Sequence, residues 1–160
     1  MERLWTPWRM AYIKGEERHN ACIFCDFPSQ AEPNDETNLI LARGERSFVI
    51  LNKFPYNTGH LMVTPYRHVG EWESLSAEEL AEIGEWSQRC INALKATLGP
   101  QGFNVGVNQG VIAGAGITDH VHLHVVPRWG GDTNFMTTVG ESKVIPEALE
   151  DTYSRLKPHL

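Results

Sequence analysis

The chain has 160 residues, 41% of them hydrophobic, and a formal net charge of −6. This length fits a single domain that buries roughly two-thirds of its unfolded surface and needs no covalent cross-link to fold. The acidic balance disfavours nucleic acid as a partner, while the lack of an apolar run of about 18 residues and of a signal-peptide core predicts a cytoplasmic protein with no membrane partner.

The N-terminal part combines an aromatic stretch, a cysteine pair and a polar segment. The stretch LWTPWRMAYIKG (residues 4–15) is too apolar for a free tail, so we expect it to pack on the domain or on a second subunit. Cys22 and Cys25 form a C-x-x-C pair, which in a cytoplasmic chain indicates metal or redox use more than a disulfide. Residues 26–38 are rich in Pro, Asp and Asn and predict a mobile loop.

Short β-type runs fill much of the rest of the chain. Residues 39–43 and 47–52 predict a hairpin, because turn residues separate them, and a third run follows at 60–65. Residues 103–108 and 119–127 resume the β pattern on either side of a glycine-rich loop. We therefore expect at least five strands.

The clearest helix spans residues 76–98. Ser76 and Glu79 form a capping box at its start, its apolar residues recur every three or four positions, and Gly99 with Pro100 ends it. Cys90 lies on the apolar stripe and is expected to be plain core.

A final helix is predicted to begin with Pro146 at its first position. Its apolar face carries Ala148, Leu149, Tyr153 and Leu156. Strands joined by short turns, with one long helix between strands, favour an α+β fold with a mostly antiparallel sheet of about five strands.

The segment HVHLHVV (residues 120–126) places three histidines at alternate positions. On a strand, His120, His122 and His124 share one face, and the outer two lie about 13 Å apart at about 3.3 Å per residue. A zinc ion needs nitrogens at about 2.0 to 2.1 Å, so two neighbours could share one ion but all three could not. An ordinary polar face or satisfied core histidines would explain single residues, but the clustering favours chemistry with different roles for the three rings.

Three glycines come just before this segment, at Gly110, Gly114 and Gly116. They leave the backbone free to approach a ligand and point N–H groups at an anion. They match neither a dinucleotide-binding fingerprint nor a Walker loop, and alone they would indicate only a structural turn. Followed by the histidines, they predict a phosphate cradle that faces a nucleophile.

These residues resemble a known family. HVHLHVV matches the histidine triad motif, His-φ-His-φ-His-φ-φ with φ apolar, and GHLMVTPYRH (residues 59–68) resembles the family's second block. The chain thus resembles the histidine triad (HIT) family, and WTPWRMAYIKG, CIFC, NKFPYNTGHLMV, AGAG, HVVPRW and GDTNFM are similar to its bacterial branch of diadenosine tetraphosphate phosphorylases (ATP adenylyltransferases).

The resemblance implies a HIT-like α+β fold and one HIT domain over residues 1–160. Its parts would be an N-terminal extension with the C-x-x-C pair and the mobile loop (1–38), a core (39–129) and a C-terminal tail and helix (130–160).

It also implies catalytic roles for three histidines. His122 would attack an α-phosphorus and form an adenylyl intermediate, from which phosphate or water releases the nucleotide. A backbone carbonyl beside His120 would accept a hydrogen bond from the other ring nitrogen of His122. His124 would contact the transferred phosphate, and His60 matches the family's fourth active-site histidine.

The resemblance further implies substrate-binding residues. A ribose would bind at Asn52, which could also be only a turn residue, and Trp129 could equally belong to interface packing. Gly116 stands where several family members carry Ser, Thr or Gln. This difference bears on whether phosphate or water acts as the acceptor of the nucleotide. The full set of substrate-binding residues is Ile50, Asn52, Asn108, Gly114, Ala115, Gly116, Arg128 and Trp129.

A structural zinc site is implied on Cys22, Cys25, His68 and His120, with no organic cofactor. A redox pair is the first alternative, but the cysteines precede a Pro-rich segment and no helix that would lower a thiol pKa is expected there. The second alternative is two reduced, partly buried thiols.

The expected function is phosphorolysis of dinucleoside polyphosphates to ADP and ATP, with nucleotides and inorganic phosphate as partners, in a homodimer or higher homo-oligomer. Hydrolysis of the same compounds or of nucleoside phosphoramidates is an alternative. Two others are a non-catalytic nucleotide-binding module and a metal-dependent hydrolase with His120 and His122 as ligands.

Overall fold

The computed structural model describes residues 22–133 and 145–160. In this part of the chain a five-stranded sheet has the order β1-β2-β3-β5-β4, and every neighbouring pair is antiparallel. The predicted α+β class and sheet are confirmed, while the expected packing of residues 4–15 lies outside the described residues. The elements are helix α1 (Ile23–Ser29), strands β1 (Ile40–Arg43), β2 (Ser47–Leu51) and β3 (Leu61–Pro65), helix α2 (Ala77–Leu98), strands β4 (Gly102–Val107) and β5 (Leu123–Arg128), and helix α3 (Leu149–Leu156).

Helix α2 forms where its capping box predicts. The Ser76 side chain accepts from the backbone N–H of Glu79, the Glu79 side chain accepts from that of Ser76, and Gly99 ends the helix with φ of 58°. Cys90 is fully buried in the core, where burial raises the pKa of its thiol to about 12. This cysteine is a packing residue, as predicted.

Alternation along the strands gives the sheet two different faces. One face packs against α2 and holds the main core, with Val49, Leu51, Leu61, Val63 and Val125. The opposite face carries a second apolar cluster of Phe24, Ile40, Phe48, Ile50 and Met62, which helix α1 partly covers. Because Met62 pairs with His124 across β3 and β5, the histidines belong to this second face.

The structure corrects the prediction of a mobile loop at residues 26–38. Helix α1 extends to Ser29, and a 3₁₀ turn follows at Glu32–Asn34. Arg43 of β1 fixes the segment: its guanidinium lies 2.6 Å from Asp35 and donates to the carbonyl of Pro28 at 2.7 Å. Composition did not reveal this partner because it comes from a distant strand.

Two element boundaries are also corrected. Strand β5 begins at Leu123 and not at residue 119, because the backbone N–H of Val121 pairs with Val69 in a loop and not with a strand. Helix α3 begins at Leu149 and not at Pro146, with Ala148 in extended conformation as its N-cap.

Helix α3 covers the outer edge of the sheet. The Tyr153 hydroxyl donates to the carbonyl of Ile40 at 2.9 Å, and Lys157 Nζ donates to that of Leu41 at 2.8 Å. These bonds satisfy edge-strand carbonyls that would otherwise face solvent or another chain. Within 22–133 and 145–160, none of the helices is long and apolar enough to cross a bilayer.

The predicted β1–β2 hairpin is confirmed, and α2 holds its turn in place. Glu82 accepts hydrogen bonds from the backbone N–H groups of Glu45 and Arg46, each at 2.8 Å, and from the Ser47 hydroxyl at 2.5 Å. A Cβ at Gly44 would lie 2.5 Å from Trp86 Nε1, so the close approach requires glycine. Burial acts to raise the pKa of Glu82, but these hydrogen bonds together hold it below its usual value.

We predict that Glu82→Gln lowers the free energy of unfolding by about 1 to 3 kcal/mol at pH 7, because it removes the charge that three donors surround. A carboxylate whose pKa is lowered in the folded state contributes its full stability to the fold above the ordinary glutamate pKa of about 4.3. This contribution is lost as the pH falls through the lowered pKa. Urea denaturation of both proteins from pH 7 to pH 3 should therefore show the difference shrinking in acid. Glu85→Gln, exposed on the same helix, is the matched control, and an equal loss there would contradict the prediction.

Candidate functional site

The three residues before β5 place two histidines on the second face of the sheet. The Val121 N–H donates to the carbonyl of Val69 at 2.7 Å, and the Thr64 hydroxyl donates to that of Val121 at 3.0 Å. Val121 packs into the main core, so His120 and His122 point the opposite way. The predicted alternation therefore holds in this extended segment although it is not part of the strand.

His122 has a fixed tautomer. Its Nδ1 lies 2.9 Å from the carbonyl oxygen of His120, which can only accept, so Nδ1 carries the proton and Nε2 keeps a lone pair. Burial lowers the pKa of His122, against the opposing effect of this hydrogen bond. The ring is therefore a neutral imidazole at pH 7 with one bare nitrogen, and the predicted carbonyl acceptor is confirmed.

A cavity of about 570 Å³ opens beside His122. This volume is typical of a small-molecule site. His124 follows His122 along its wall, with ring centroids 4.8 Å apart. The lining residues are Ile23, Phe24, Phe27, Glu36, Thr37, Asn38, Leu39, Ile50, Leu51, Asn52, Lys53, Phe54, Tyr56, Met62, Gly114, Gly116, Ile117, His122, His124, Leu149, Glu150 and Tyr153.

His60 lies next to His124 but does not line the cavity. Its Nε2 is 2.9 Å from His124 Nδ1, and the Tyr56 ring stacks on it with centroids 4.6 Å apart. His60 is fully buried, so it reaches the cavity through His124.

Part of the predicted substrate-binding set comes together at the cavity. Ile50, Asn52, Gly114 and Gly116 line it. Asn52 also accepts from the Phe54 N–H at 2.9 Å, so it makes the local turn as well. Ala115, Asn108, Arg128 and Trp129 are not among the lining residues, and their substrate-binding roles stay predictions.

Arg128 is engaged at another corner of the fold. Its Nε donates to Asp132 at 2.6 Å, and the guanidinium holds the pKa of that carboxyl well below its usual range. Asn57 donates to the same carboxylate at 2.8 Å and to the carbonyl of Pro127 at 2.9 Å. These bonds tie the end of β5 to the turn that precedes His60.

Sequence reasoning missed two walls of the cavity. Ile23, Phe24 and Phe27 of α1 form one, and their i, i+1, i+4 spacing was a helical signal that runs from the C-x-x-C pair into the segment predicted as a loop. The first turn of α3 forms the other with Leu149, Glu150 and Tyr153. The charged side chains of Lys53, Glu36 and Glu150 at the cavity were also not predicted.

Cys22, Cys25, His68 and His120 form a cluster whose ligand atoms all lie within 4.8 Å of one another. Cys22 Sγ is 3.4 Å from His120 Nδ1, and Cys25 Sγ is 3.3 Å from His68 Nδ1 and 3.5 Å from His120 Nδ1. Metal–sulfur bonds of about 2.3 Å and metal–nitrogen bonds of about 2.05 Å at tetrahedral angles place S and N about 3.5 Å apart. The four predicted residues therefore fit one tetrahedral metal ion.

The protonation of the cluster agrees with that fit. His120 Nε2 lies 2.8 Å from the carbonyl oxygen of Pro65, so Nε2 carries the proton and Nδ1 turns its lone pair to the thiols. Burial raises the pKa of Cys25, and the neighbouring Cys22 raises it further, so a thiolate at Cys25 would need a nearby cation. Contrary to expectation a helix does follow the pair, since Cys22 is the N-cap of α1 and Cys25 lies in its first turn.

The metal cluster and the cavity share one side chain. Phe24 stands between the two cysteines in sequence and is fully buried. Its ring centroid is 5.4 Å from that of His120 and 5.0 Å from that of His122. A change at the cysteines can therefore reach His122 through one side chain, Phe24.

A family model described as HIT domain matches residues 34–131. The chain is 46% identical over 157 residues to the AP-4-A phosphorylase of Mycobacterium tuberculosis strain H37Rv, an alignment that covers 95% of this chain and 80% of that protein. It is 31% identical over 134 residues to an uncharacterized HIT-like protein of Mycoplasma genitalium, covering 84% and 90% of the two chains. Among solved structures it is similar to a Zn-bound histidine triad family protein from Mycobacterium smegmatis, with a TM-score of 0.68 and 26% identity over 87% of this chain and 92% of that one.

Proposed function

The chain belongs to the HIT domain family, and we propose that it is a nucleotidyltransferase that cleaves diadenosine tetraphosphate by phosphorolysis to ADP and ATP. The observation that carries the proposal is the bare Nε2 of His122 in the wall of a nucleotide-sized cavity. The AP-4-A phosphorylase, a relative that aligns over nearly the whole chain, supports the choice of substrate.

The cavity suggests how one nucleotide half is oriented. The apolar wall of α1 and Ile50 suits the base. Asn52 Oδ1 has a second lone pair beyond the one used by Phe54, and we assign it to a ribose hydroxyl. The backbone at Gly114 and Gly116 then faces the phosphates, which places the α-phosphorus near His122.

The reaction consists of two displacements at that phosphorus. The Nε2 lone pair of His122 forms an N–P bond while the bridging P–O bond breaks, and ATP leaves with the bonding electrons. An oxygen of inorganic phosphate then attacks the same phosphorus, the N–P bond breaks, and ADP leaves as the lone pair returns to Nε2. Throughout, Nδ1–H stays hydrogen-bonded to the His120 carbonyl. This bond stabilises the positive charge on the adenylylated imidazole ring.

We propose that the cysteine–histidine cluster holds a structural zinc ion. Its two sulfur and two nitrogen ligands would complete a closed tetrahedral site, and the zinc-bound mycobacterial relative supports this choice of metal. Bound zinc would cross-link the start of α1 to the segment that carries His122. The chemistry itself is assigned to the histidines of the cavity.

We further propose one HIT domain over the whole chain, a cytoplasmic location and a homodimer or higher homo-oligomer. In the described part of the chain β4 pairs only with β5, so its other edge is available to a second copy. Val105 on this strand is 48% exposed, so it offers apolar surface to such a contact.

We predict that the protein converts diadenosine tetraphosphate and inorganic phosphate to equal amounts of ADP and ATP, measured by ion-exchange chromatography of the released nucleotides. AMP in place of ADP, at saturating phosphate, would instead assign the hydrolytic reaction. Absence of any turnover would leave a nucleotide-binding module and reject the proposed enzyme.

His122→Ala should lower kcat at least about a thousandfold because no other group replaces the attacking nitrogen. It should also abolish the adenylyl-protein trapped by acid-free quenching with radiolabelled substrate in the absence of phosphate. His159→Ala, an exposed histidine at the far end of the chain, is the matched control and should keep both. Equal labelling of the wild type and His122→Ala would contradict the covalent mechanism.

Purified protein is predicted to hold about one zinc per chain, and Cys25→Ser should lose the metal and lower the melting temperature. Metal content by plasma mass spectrometry and thermal denaturation provide the two readouts. Cys90→Ala is the control for destabilisation alone, since it leaves a cavity in the core but should keep the zinc. A metal-free wild type, or a Cys25→Ser variant with unchanged zinc, would reject the site.

A further inference from the structure

The glycine-rich loop at residues 110–117 is a turn with its own hydrogen bonds, and much of it is exposed. The backbone N–H groups of Ala113 and Ala115 both donate to the carbonyl of Gly110 at 3.2 Å. Gly110 and Gly114 have φ of 83° and 89°, a conformation that favours glycine. All residues of the loop up to Gly114 are exposed, so the core holds them weakly. The position of this turn beside the cavity therefore depends strongly on how its two ends are fixed.

The start of the loop is fixed by Gln109. Its Oε1 accepts from the backbone N–H of Trp72 at 2.9 Å, and its Nε2 donates to the Glu73 carboxylate at 3.0 Å. A backbone N–H can only donate, which decides how the carboxamide is oriented. Hydrogen bonds from its own backbone N–H and from Gln109 hold the pKa of Glu73 below its usual value, so this partner is an anion at pH 7. One side chain thus joins the loop to two successive residues.

The end of the loop meets the same stretch of chain, which we call the platform (residues 69–75). The Val121 N–H donates to the carbonyl of Val69 at 2.7 Å. Gly70 comes so close to Thr118 that a Cβ at this glycine would lie 2.8 Å from the Thr118 carbonyl oxygen. Any larger residue would push the backbone of the loop away. Both ends of the loop therefore rest on the platform.

The platform itself is held by the core. Val69 and Leu75 are buried in the main core, and Trp72 packs against it. Ser76, the N-cap of α2, follows directly. The platform therefore gives an exposed loop a position that the core determines.

We propose that the platform sets the position of the glycine-rich loop, and that Gln109 is a positioning residue that controls through this loop how tightly the phosphates of a nucleotide are bound. Gly114 and Gly116 line the cavity where the proposed function places the phosphates, and the inference rests on that placement. Gln109 is not among the lining residues, so its effect reaches the ligand through the loop.

The effect is expected to be confined to the phosphates. The base and ribose are assigned to α1, Ile50 and Asn52, which lie on other elements. The ring of His122 is oriented by the carbonyl of His120, which also lies outside the loop. Loss of the Gln109 contacts should therefore weaken binding of the phosphates in the ground state and the transition state alike. Such a loss raises KM and leaves kcat nearly unchanged.

The test compares the affinities for AMP and adenosine, because their ratio reports the contribution of the phosphate. Titration calorimetry on the full-length protein measures AMP directly and adenosine by competition. Gln109→Ala removes both hydrogen bonds without a change of charge. It should weaken AMP binding about three- to tenfold, the effect of roughly one hydrogen bond, and change adenosine binding less than about twofold. KM for diadenosine tetraphosphate should rise by a similar factor, with kcat within about twofold of the wild type.

A swapped pair provides the rescue. Gln109→Glu places two carboxylates against each other and should weaken AMP binding at least as much as Gln109→Ala. Addition of Glu73→Gln restores the net charge and an N–H to carboxylate bond in the reverse direction, so AMP affinity should return to about the wild-type value. Gln88→Glu, on an exposed position of α2, is the matched control for one added charge and should keep both affinities.

Several outcomes would overturn the role of Gln109. These are equal losses of AMP and adenosine affinity, unchanged AMP affinity in Gln109→Ala, no rescue in the double variant, or a wild type that binds AMP no tighter than adenosine. If Gln109→Ala does not fold, the nearly isosteric Gln109→Glu and the double variant decide the question. The AMP and adenosine titrations do not depend on the products of turnover, so failure of phosphorolysis would leave their result standing. Confirmed phosphorolysis would likewise not rescue a failed comparison.

Discussion

The site depends on His120, whose three polar groups join three parts of the chain. Its Nε2–H donates to the carbonyl of Pro65 at the end of β3, and its Nδ1 faces the thiols of Cys22 and Cys25. Its backbone carbonyl accepts the Nδ1–H of His122. The bond to Pro65 decides which nitrogen of His120 can bind a metal, and the carbonyl decides which nitrogen of His122 is bare. The orientation of His122 and the geometry of the cysteine–histidine cluster therefore follow from the placement of one residue.

Helix α1 shows why this linkage matters for ligand binding. A helix of seven residues is not stable alone, so its position depends on tertiary contacts. Its N-cap is Cys22 and its first turn contains Cys25. Phe24 packs against the rings of His120 and His122, and Arg43 holds the segment that follows. Ile23, Phe24 and Phe27 then form a wall of the cavity. Loss of the contacts at the cysteines would disturb that wall and the nucleophile together.

The surroundings of the histidines favour neutral rings that orient and stabilise over groups that exchange protons with solvent. Burial lowers the pKa of both His120 and His122, and His60 is fully buried. Displacement at phosphorus with a polyphosphate leaving group needs a nucleophile in line and donors for the phosphoryl oxygens. The pocket offers the bare nitrogen of His122, and Gly114 and Gly116 line its wall. These groups are fixed by the fold before a substrate arrives.

The sequence by itself determined the elements whose signals are local. The capping box of Ser76 and Glu79, the alternation of histidines with aliphatic residues, and the C-x-x-C spacing each depend on near neighbours, so the long helix, the shared histidine face and the ligand types were predictable. Only the tertiary structure decided the features that need a distant partner. The contact of His60 Nε2 with His124 Nδ1 at 2.9 Å joins rings that are 64 positions apart in the chain. Likewise α1 and α3 become cavity walls, because packing across the fold outweighs what local composition favours.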